Sequence, residues 1–99
     1  MINLDKVLGF DWDEGNVRKK QEKHSVSQAE AEQVFFNNPL LLLSDKKHSD
    51  DEARYHAYGK TNNDRRLHLS FTLRSSDTLI RVISARDMSR NERLVYEKA

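Results

Sequence analysis

Between positions 65 and 74 the chain alternates strictly: Leu67, Leu69, Phe71 and Leu73 take every second place, and Arg66, His68, Ser70, Thr72 and Arg74 fill the others. A period of two marks a strand with one face buried and the other polar. The stretch from Ala53 to Lys60 reads the same way, with Arg54, His56 and Tyr58 on one face and Ala53, Tyr55, Ala57 and Gly59 on the other. From Thr78 to Arg86 apolar residues occupy both faces, as in an interior strand; alternation groups Ile80, Val82, Ser84 and Arg86 against Leu79, Arg81, Ile83 and Ala85. Turn chemistry separates the three strands at Thr61–Asp64 and Ser75–Asp77. Two further strands are expected at Val7–Trp12 and Leu40–Ser44, although four consecutive leucines do not by periodicity alone distinguish strand from helix.

Helix signals fall between and after these runs. Asp13 and Glu14 precede a segment whose far end carries Arg18, Lys19, Lys20, Lys23 and His24, the charge order that a helix dipole favours, so a helix is expected over Glu14–His24. Ser27-Gln28-Ala29-Glu30 and Ser89-Arg90-Asn91-Glu92 each have the spacing of a capping box. The first opens a helix with an Ala31, Val34, Phe35 stripe that ends at Asn37-Asn38-Pro39, and the second opens a helix carrying Leu94, Val95 and Tyr96. Residues 45–52 read as a charged, solvated loop. The expected architecture is a single α+β domain over residues 1–99: a largely antiparallel β-meander sheet, two N-terminal helices and a C-terminal helix.

Composition narrows the classes. Ninety-nine residues support one small core. Seventeen Lys and Arg against sixteen Asp and Glu leave a formal charge of +1, so bulk charge does not hold this chain on nucleic acid, and any polyanion site must come from local clustering. Four Phe, three Tyr and one Trp at regular spacings argue against disorder. The absence of cysteine excludes disulfides and thiolate metal sites. No apolar run reaches the ~18 residues of a membrane helix, and the N-terminal residues lack a secretory pattern. A cytoplasmic protein is expected.

Basic residues gather in four places: the first helix, Arg54 with His56, Arg65 with Arg66, and Arg81, Arg86, Arg90 and Arg93 near the last strand and helix. In a folded meander Arg54, His56, Tyr58 and His68 become neighbours across one sheet face. Guanidinium groups suit phosphate, and flat Tyr and His rings suit unstacked RNA bases. The competing reading is a solvated face with surface salt bridges. His24 alone reads as a complement to a helix C-terminus. His48 with Asp50 and Asp51 lacks any recognised metal-ligand spacing, so no metal and no cofactor is expected. Arg86, on an otherwise apolar strand, needs a specific partner: Glu92 or Asp13 if its role is structural, a phosphate if functional.

Taken together, these segments resemble the BrnT family of bacterial toxins, which look like RelE-type ribonucleases. The likeness is carried by Phe10-Asp-Trp12-Asp13-Glu14-Gly15-Asn16, Lys23-His24 with Val26-Ser27, Glu30-Ala31-Glu32, Phe35-Phe36-Asn37 with Pro39-Leu40-Leu41, and His48-Ser49 with Glu52 and Arg54. It continues through Gly59-Lys60-Thr61, Phe71-Thr72 with Arg74, the run from Ile80 to Arg90, Glu92-Arg93 and Tyr96-Glu97, and so covers residues 10–98 in one register. Lys20 stands where asparagine is expected, and His68 and Ser70 stand where members usually carry bulky apolar residues.

The resemblance implies a RelE-like fold and a metal-independent endoribonuclease that inhibits translation. It also implies a cognate BrnA-like ribbon-helix-helix antitoxin that carries the DNA binding of the pair. Such cleavage uses the ribose 2′-hydroxyl against the adjacent phosphorus. It needs a base, positive charge on the phosphorane and an acid for the leaving 5′-oxygen. On that expectation His24 serves as base or acid with Lys23 beside it, Arg54 and Arg86 hold the phosphate, and Tyr96 orients the scissile nucleotide. Lys19, Lys20, His56, Tyr58, Arg81 and Arg90 are the expected RNA-binding residues. The alternative is a non-catalytic module that binds a ribbon-helix-helix partner and acts in transcriptional autoregulation.

Overall fold

The structure, a computed structural model, describes residues 4–12, 25–48 and 52–99. The helix expected over Glu14–His24 lies outside the described residues. Within them the elements run β1 (Gly9–Phe10), α1 (Gln28–Val34), β2 (Leu41–Asp45), a 3-10 turn (Lys46–His48), β3 (Arg54–Lys60), β4 (Arg66–Arg74), β5 (Leu79–Asp87) and α2 (Arg90–Tyr96). The result is an α+β fold built on one five-stranded sheet of order β1-β5-β4-β3-β2.

Strands β2 to β5 form the expected antiparallel meander. The sheet is nevertheless mixed, because β1 pairs parallel to β5 through Gly9–Leu79 and Phe10–Ile80. Backbone bonds from Leu8 to the Thr78 carbonyl (2.7 Å) and from Asp11 to the Ile80 carbonyl (2.8 Å) extend that pairing. The two hairpins use left-handed residues where the sequence has turn chemistry: Asp64 (φ 66°) in one, Ser75, Ser76 and Asp77 (φ 55°, 57° and 69°) in the other.

Both capping boxes form. Ser27 Oγ accepts from the Glu30 amide at 3.0 Å while the Glu30 carboxylate accepts from the Ser27 amide at 3.0 Å. The Ser89–Glu92 box closes the same way, at 3.2 and 2.8 Å. Helix α1 packs on the apolar sheet face. Val26, Ala31 and Val34 join Ala57, Leu67, Leu69, Phe71, Ile80, Val82 and Ala85 in the core. The contact is close at Gly59, where an added Cβ would lie 2.7 Å from Val34 Cγ1. Trp12 donates its indole N–H to Glu32 at 2.7 Å, which ties the segment after β1 to α1.

Helix α2 serves the opposite face. Glu92 and Glu97 reach Arg86 and Arg66, and the buried Tyr96 donates its hydroxyl to the Pro39 carbonyl at 2.6 Å. Leu94 and Val95 are 53% and 60% exposed, because this short helix docks through Tyr96 and its acidic residues.

Candidate functional site

The polar face of the sheet is built in rows by strand register. Asp45, Arg54, Thr72 and Arg81 form one row across β2 to β5. Leu43, His56, Ser70 and Ser84 form the next, and Leu41, Tyr58, His68 and Arg86 the third.

Strict alternation does not give the third row. Ser70 pairs with Ser84 and Phe71 with Val82, so Ile83 is an extra residue on β5, a β-bulge. The extra residue changes the phase of the strand. Ala85 turns into the core beside Ile80 and Val82, and Arg86 turns onto the polar face beside His68. The expected grouping of Arg86 and Ser84 with Ile80 and Val82 is corrected on this ground.

A continuous hydrogen-bond chain crosses the face. Arg86 Nη2 lies 2.7 Å from His68 Nδ1, His68 Nε2 lies 2.9 Å from His56 Nδ1, and His56 Nε2 lies 3.1 Å from Asp45 Oδ2. An arginine donates and does not accept, so His68 Nδ1 is the acceptor and its proton sits on Nε2. That proton is donated to His56 Nδ1, which leaves the His56 proton on Nε2, directed at Asp45. Ser70 Oγ lies 3.2 Å from the same His56 Nδ1. Arg86 is clamped by Glu92 through two bonds of 2.8 and 2.9 Å, a fork that matches guanidinium and carboxylate geometry. The Tyr58 and His56 rings flank His68, with centroids at 4.7 and 4.8 Å.

The electrostatics follow from this packing. Burial, with Arg86 and His56 adding to it against the pull of Glu92, lowers His68 to about 4, so its ring is neutral at pH 7. Arg86, chiefly, and the Ser89 amide lower Glu92 to about 2. Glu92 in turn raises Arg86, and burial raises the Tyr58 phenol. Among the described residues no group of three or more carboxylates and imidazoles is arranged to hold a metal ion.

The expected site residues divide accordingly. Arg54, His56, Tyr58, Arg81 and Arg86 share this face, and Arg81 also pairs with Asp11 at 3.4 Å. Arg90 is exposed at the start of α2. Tyr96 is 3% exposed with its hydroxyl committed to the Pro39 carbonyl, which makes it the anchor of α2. Lys19, Lys20, Lys23 and His24 lie outside the described residues. The Arg65–Arg66 cluster is tied to carboxylates: Arg65 to Asp87 (2.7 Å) and Glu30 (3.1 Å), Arg66 to Asp64 (3.5 Å) and Glu97. Two members of the constellation were not among the expected site residues. Ser70 stands out in the sequence only as a polar residue where the family usually carries a bulky apolar one. Asp45 stands at the head of a charged run expected to be a loop, yet it is the last residue of β2, opposite Arg54, with its side chain 12% exposed.

A mixed sheet whose polar face carries arginine, histidine and tyrosine in adjacent rows defines a small α+β protein equipped to hold a phosphate chain and aromatic bases. The family model of the ribonuclease toxin BrnT, of type II toxin–antitoxin systems, matches residues 12–92, and the chain belongs to that family. Membership makes it a type II toxin with RNA as target and an antitoxin as partner. No curated protein matches the chain.

Proposed function

We propose that this toxin is a metal-independent endoribonuclease that cleaves RNA by attack of the 2′-hydroxyl on the adjacent phosphorus, inhibits translation in the cytoplasm and is neutralised by a BrnA-like ribbon-helix-helix antitoxin. The reading takes the fold as RelE-like. It rests most heavily on the family match over residues 12–92. Arg86, which an extra residue in β5 turns onto the polar face, is held by Glu92 as its structural alternative requires, and in this proposal it takes the phosphorane by exchanging that carboxylate for phosphate oxygens. Arg54 and Arg81, two rows away on the same face, extend that charge along a phosphate chain. Tyr58 offers a ring for stacking a base, and the hydroxyl of Tyr96 is better used in holding α2. His24 and Lys23 supply acid–base chemistry in this proposal, with Lys19, Lys20 and Arg90 adding phosphate contacts.

The test is purified toxin incubated with RNA in excess EDTA. Products ending in a 2′,3′-cyclic phosphate and a 5′-hydroxyl are expected. Cleavage that appears only after a divalent ion is restored refutes the metal-independent mechanism, and intact RNA under both conditions refutes the nuclease assignment.

A further inference from the structure

We infer that Glu92 is a built-in competitor of RNA: it sets how tightly this toxin holds a phosphate chain, and RNA that takes its place on Arg86 unlatches the start of α2. This inference rests on the ribonuclease reading above. It adds to that reading a residue that governs substrate affinity and a helix end coupled to substrate.

Arg86 has no spare pair of donors. A guanidinium presents its N–H groups in a fixed fork and accepts nothing. Nη1 donates to the Asp87 carbonyl at 3.0 Å and to Glu92 Oε1 at 2.8 Å. Nη2 donates to Glu92 Oε2 at 2.9 Å and to His68 Nδ1 at 2.7 Å. These bonds engage every hydrogen on Nη1 and Nη2, and only the Nε–H has no partner among the described residues. The Asp87 carbonyl is strand backbone, and His68 stands opposite Arg86 in register, so neither is exchangeable. The Glu92 pair is. A phosphodiester offers two nonbridging oxygens and one negative charge, which match the same fork in shape and sign. A phosphate that settled beside Glu92 instead would share one cation with a second anion and find a single N–H. The fork is open to such an exchange, because the Arg86 side chain is 40% exposed. The competing charge is present at every working pH, since Arg86 and the Ser89 amide hold Glu92 ionised down to about 2.

Glu92 Oε1 has a second task. It accepts from the Ser89 amide at 2.8 Å and so closes one half of the α2 capping box. One oxygen thus serves both the Arg86 fork and the first turn of the helix, and it cannot leave the first while staying on the second. The other half of the box, from the Glu92 amide to Ser89 Oγ at 3.2 Å, lies in the backbone turn and does not depend on the carboxylate. Tyr96 on the Pro39 carbonyl and Glu97 on Arg66 keep the far end of α2 on the sheet. The change that RNA brings is therefore confined to the helix start.

The experiment measures binding of a fluorescent 2′-O-methyl RNA to wild type, Glu92→Gln and Glu97→Gln, each confirmed as folded by its thermal melt. This RNA has no free 2′-hydroxyl to attack, so affinity is read without cleavage. Glutamine keeps an oxygen for the Ser89 amide, as in a Ser-x-x-Gln box, and gives up the charge. Glu97→Gln removes the same charge from the same helix, beside Arg66, and measures the effect of net charge alone. Glu92→Gln is expected to bind roughly 3–10-fold tighter than wild type, and Glu97→Gln to change far less. Unchanged or weaker binding by Glu92→Gln, or equal gains in both variants, overturns the competition and leaves the nuclease reading standing. A wild type that neither binds this RNA nor cleaves an ordinary one overturns both. In the wild type itself the Ser89 amide resonance should move as the RNA is added. A resonance that stays in place at saturating RNA overturns the unlatching, whether or not Glu92→Gln folds.

Discussion

Replacing His68 with phenylalanine should make the fold less sensitive to acid, and the structure sets the size of the effect. His68 ionises at about 4 in the folded protein against an ordinary 6.5, chiefly because burial penalises its charge. The unfolded chain therefore binds more protons than the native one throughout that window, and stability must fall as the pH falls from 6.5 to 4. At 1.36 kcal/mol per pH unit the full loss approaches ~3 kcal/mol, and ~2 kcal/mol of it is spent by pH 5. Stopping at pH 5 keeps Glu92 out of the comparison, since its contribution is lost between 4.5 and about 2. Phenylalanine retains a ring between Tyr58 and His56 but has nothing to protonate. Urea unfolding at pH 7 and pH 5 should show wild type losing ~2 kcal/mol more than His68→Phe. The same loss in both proteins would mean that His68 is not held neutral by its surroundings, and the tautomer chain drawn from Arg86 to Asp45 would go with it.

Three other outcomes are expected. Arg86→Ala should cut RNA cleavage, and growth arrest on induced expression, by the ~10²–10³-fold typical of a lost transition-state donor, while His68 titrates at higher pH because a nearby cation has gone. Gly59→Ala should destabilise the domain by ~1–3 kcal/mol, since the new methyl meets Val34 Cγ1 at 2.7 Å and the Val34 carbonyl at 3.2 Å; a thermal melt reads this directly. Ser27→Ala should cost ~1 kcal/mol by leaving the Glu30 amide without its cap, measurable as a lower urea midpoint at constant slope.

Much of the fold was legible because its signals are local. The alternation through Leu67, Leu69, Phe71 and Leu73 predicts the central strand and both its faces, and the two Ser-x-x-Glu boxes locate both described helices. Features that depend on pairing partners were not legible. A two-residue parallel contact by Gly9 and Phe10 carries no periodic signature. Asp45 looks like loop chemistry until β3 is seen to run beside it. The convergence of Arg54, His56, Tyr58 and His68 followed from alternation alone. The arrival of Arg86 among them did not, because nothing in Val82-Ile83-Ser84 announces a bulge. The pairing of Arg86 with Glu92 was one of the alternatives raised by the cost of an unpaired cation beside apolar neighbours.

The unpaired Ile83 makes the reading frame of β5 a property of the site. Forcing all residues of β5 into an even ladder would keep every side chain of the site in the protein and still rotate Arg86 toward the hydrophobic interior while Ala85 moved outward, whereas removing Ile83 itself would leave Arg86 on the polar face. In this strand the bulge between Val82 and Arg86, as much as the identity of any residue in it, decides on which side of the sheet the cation stands.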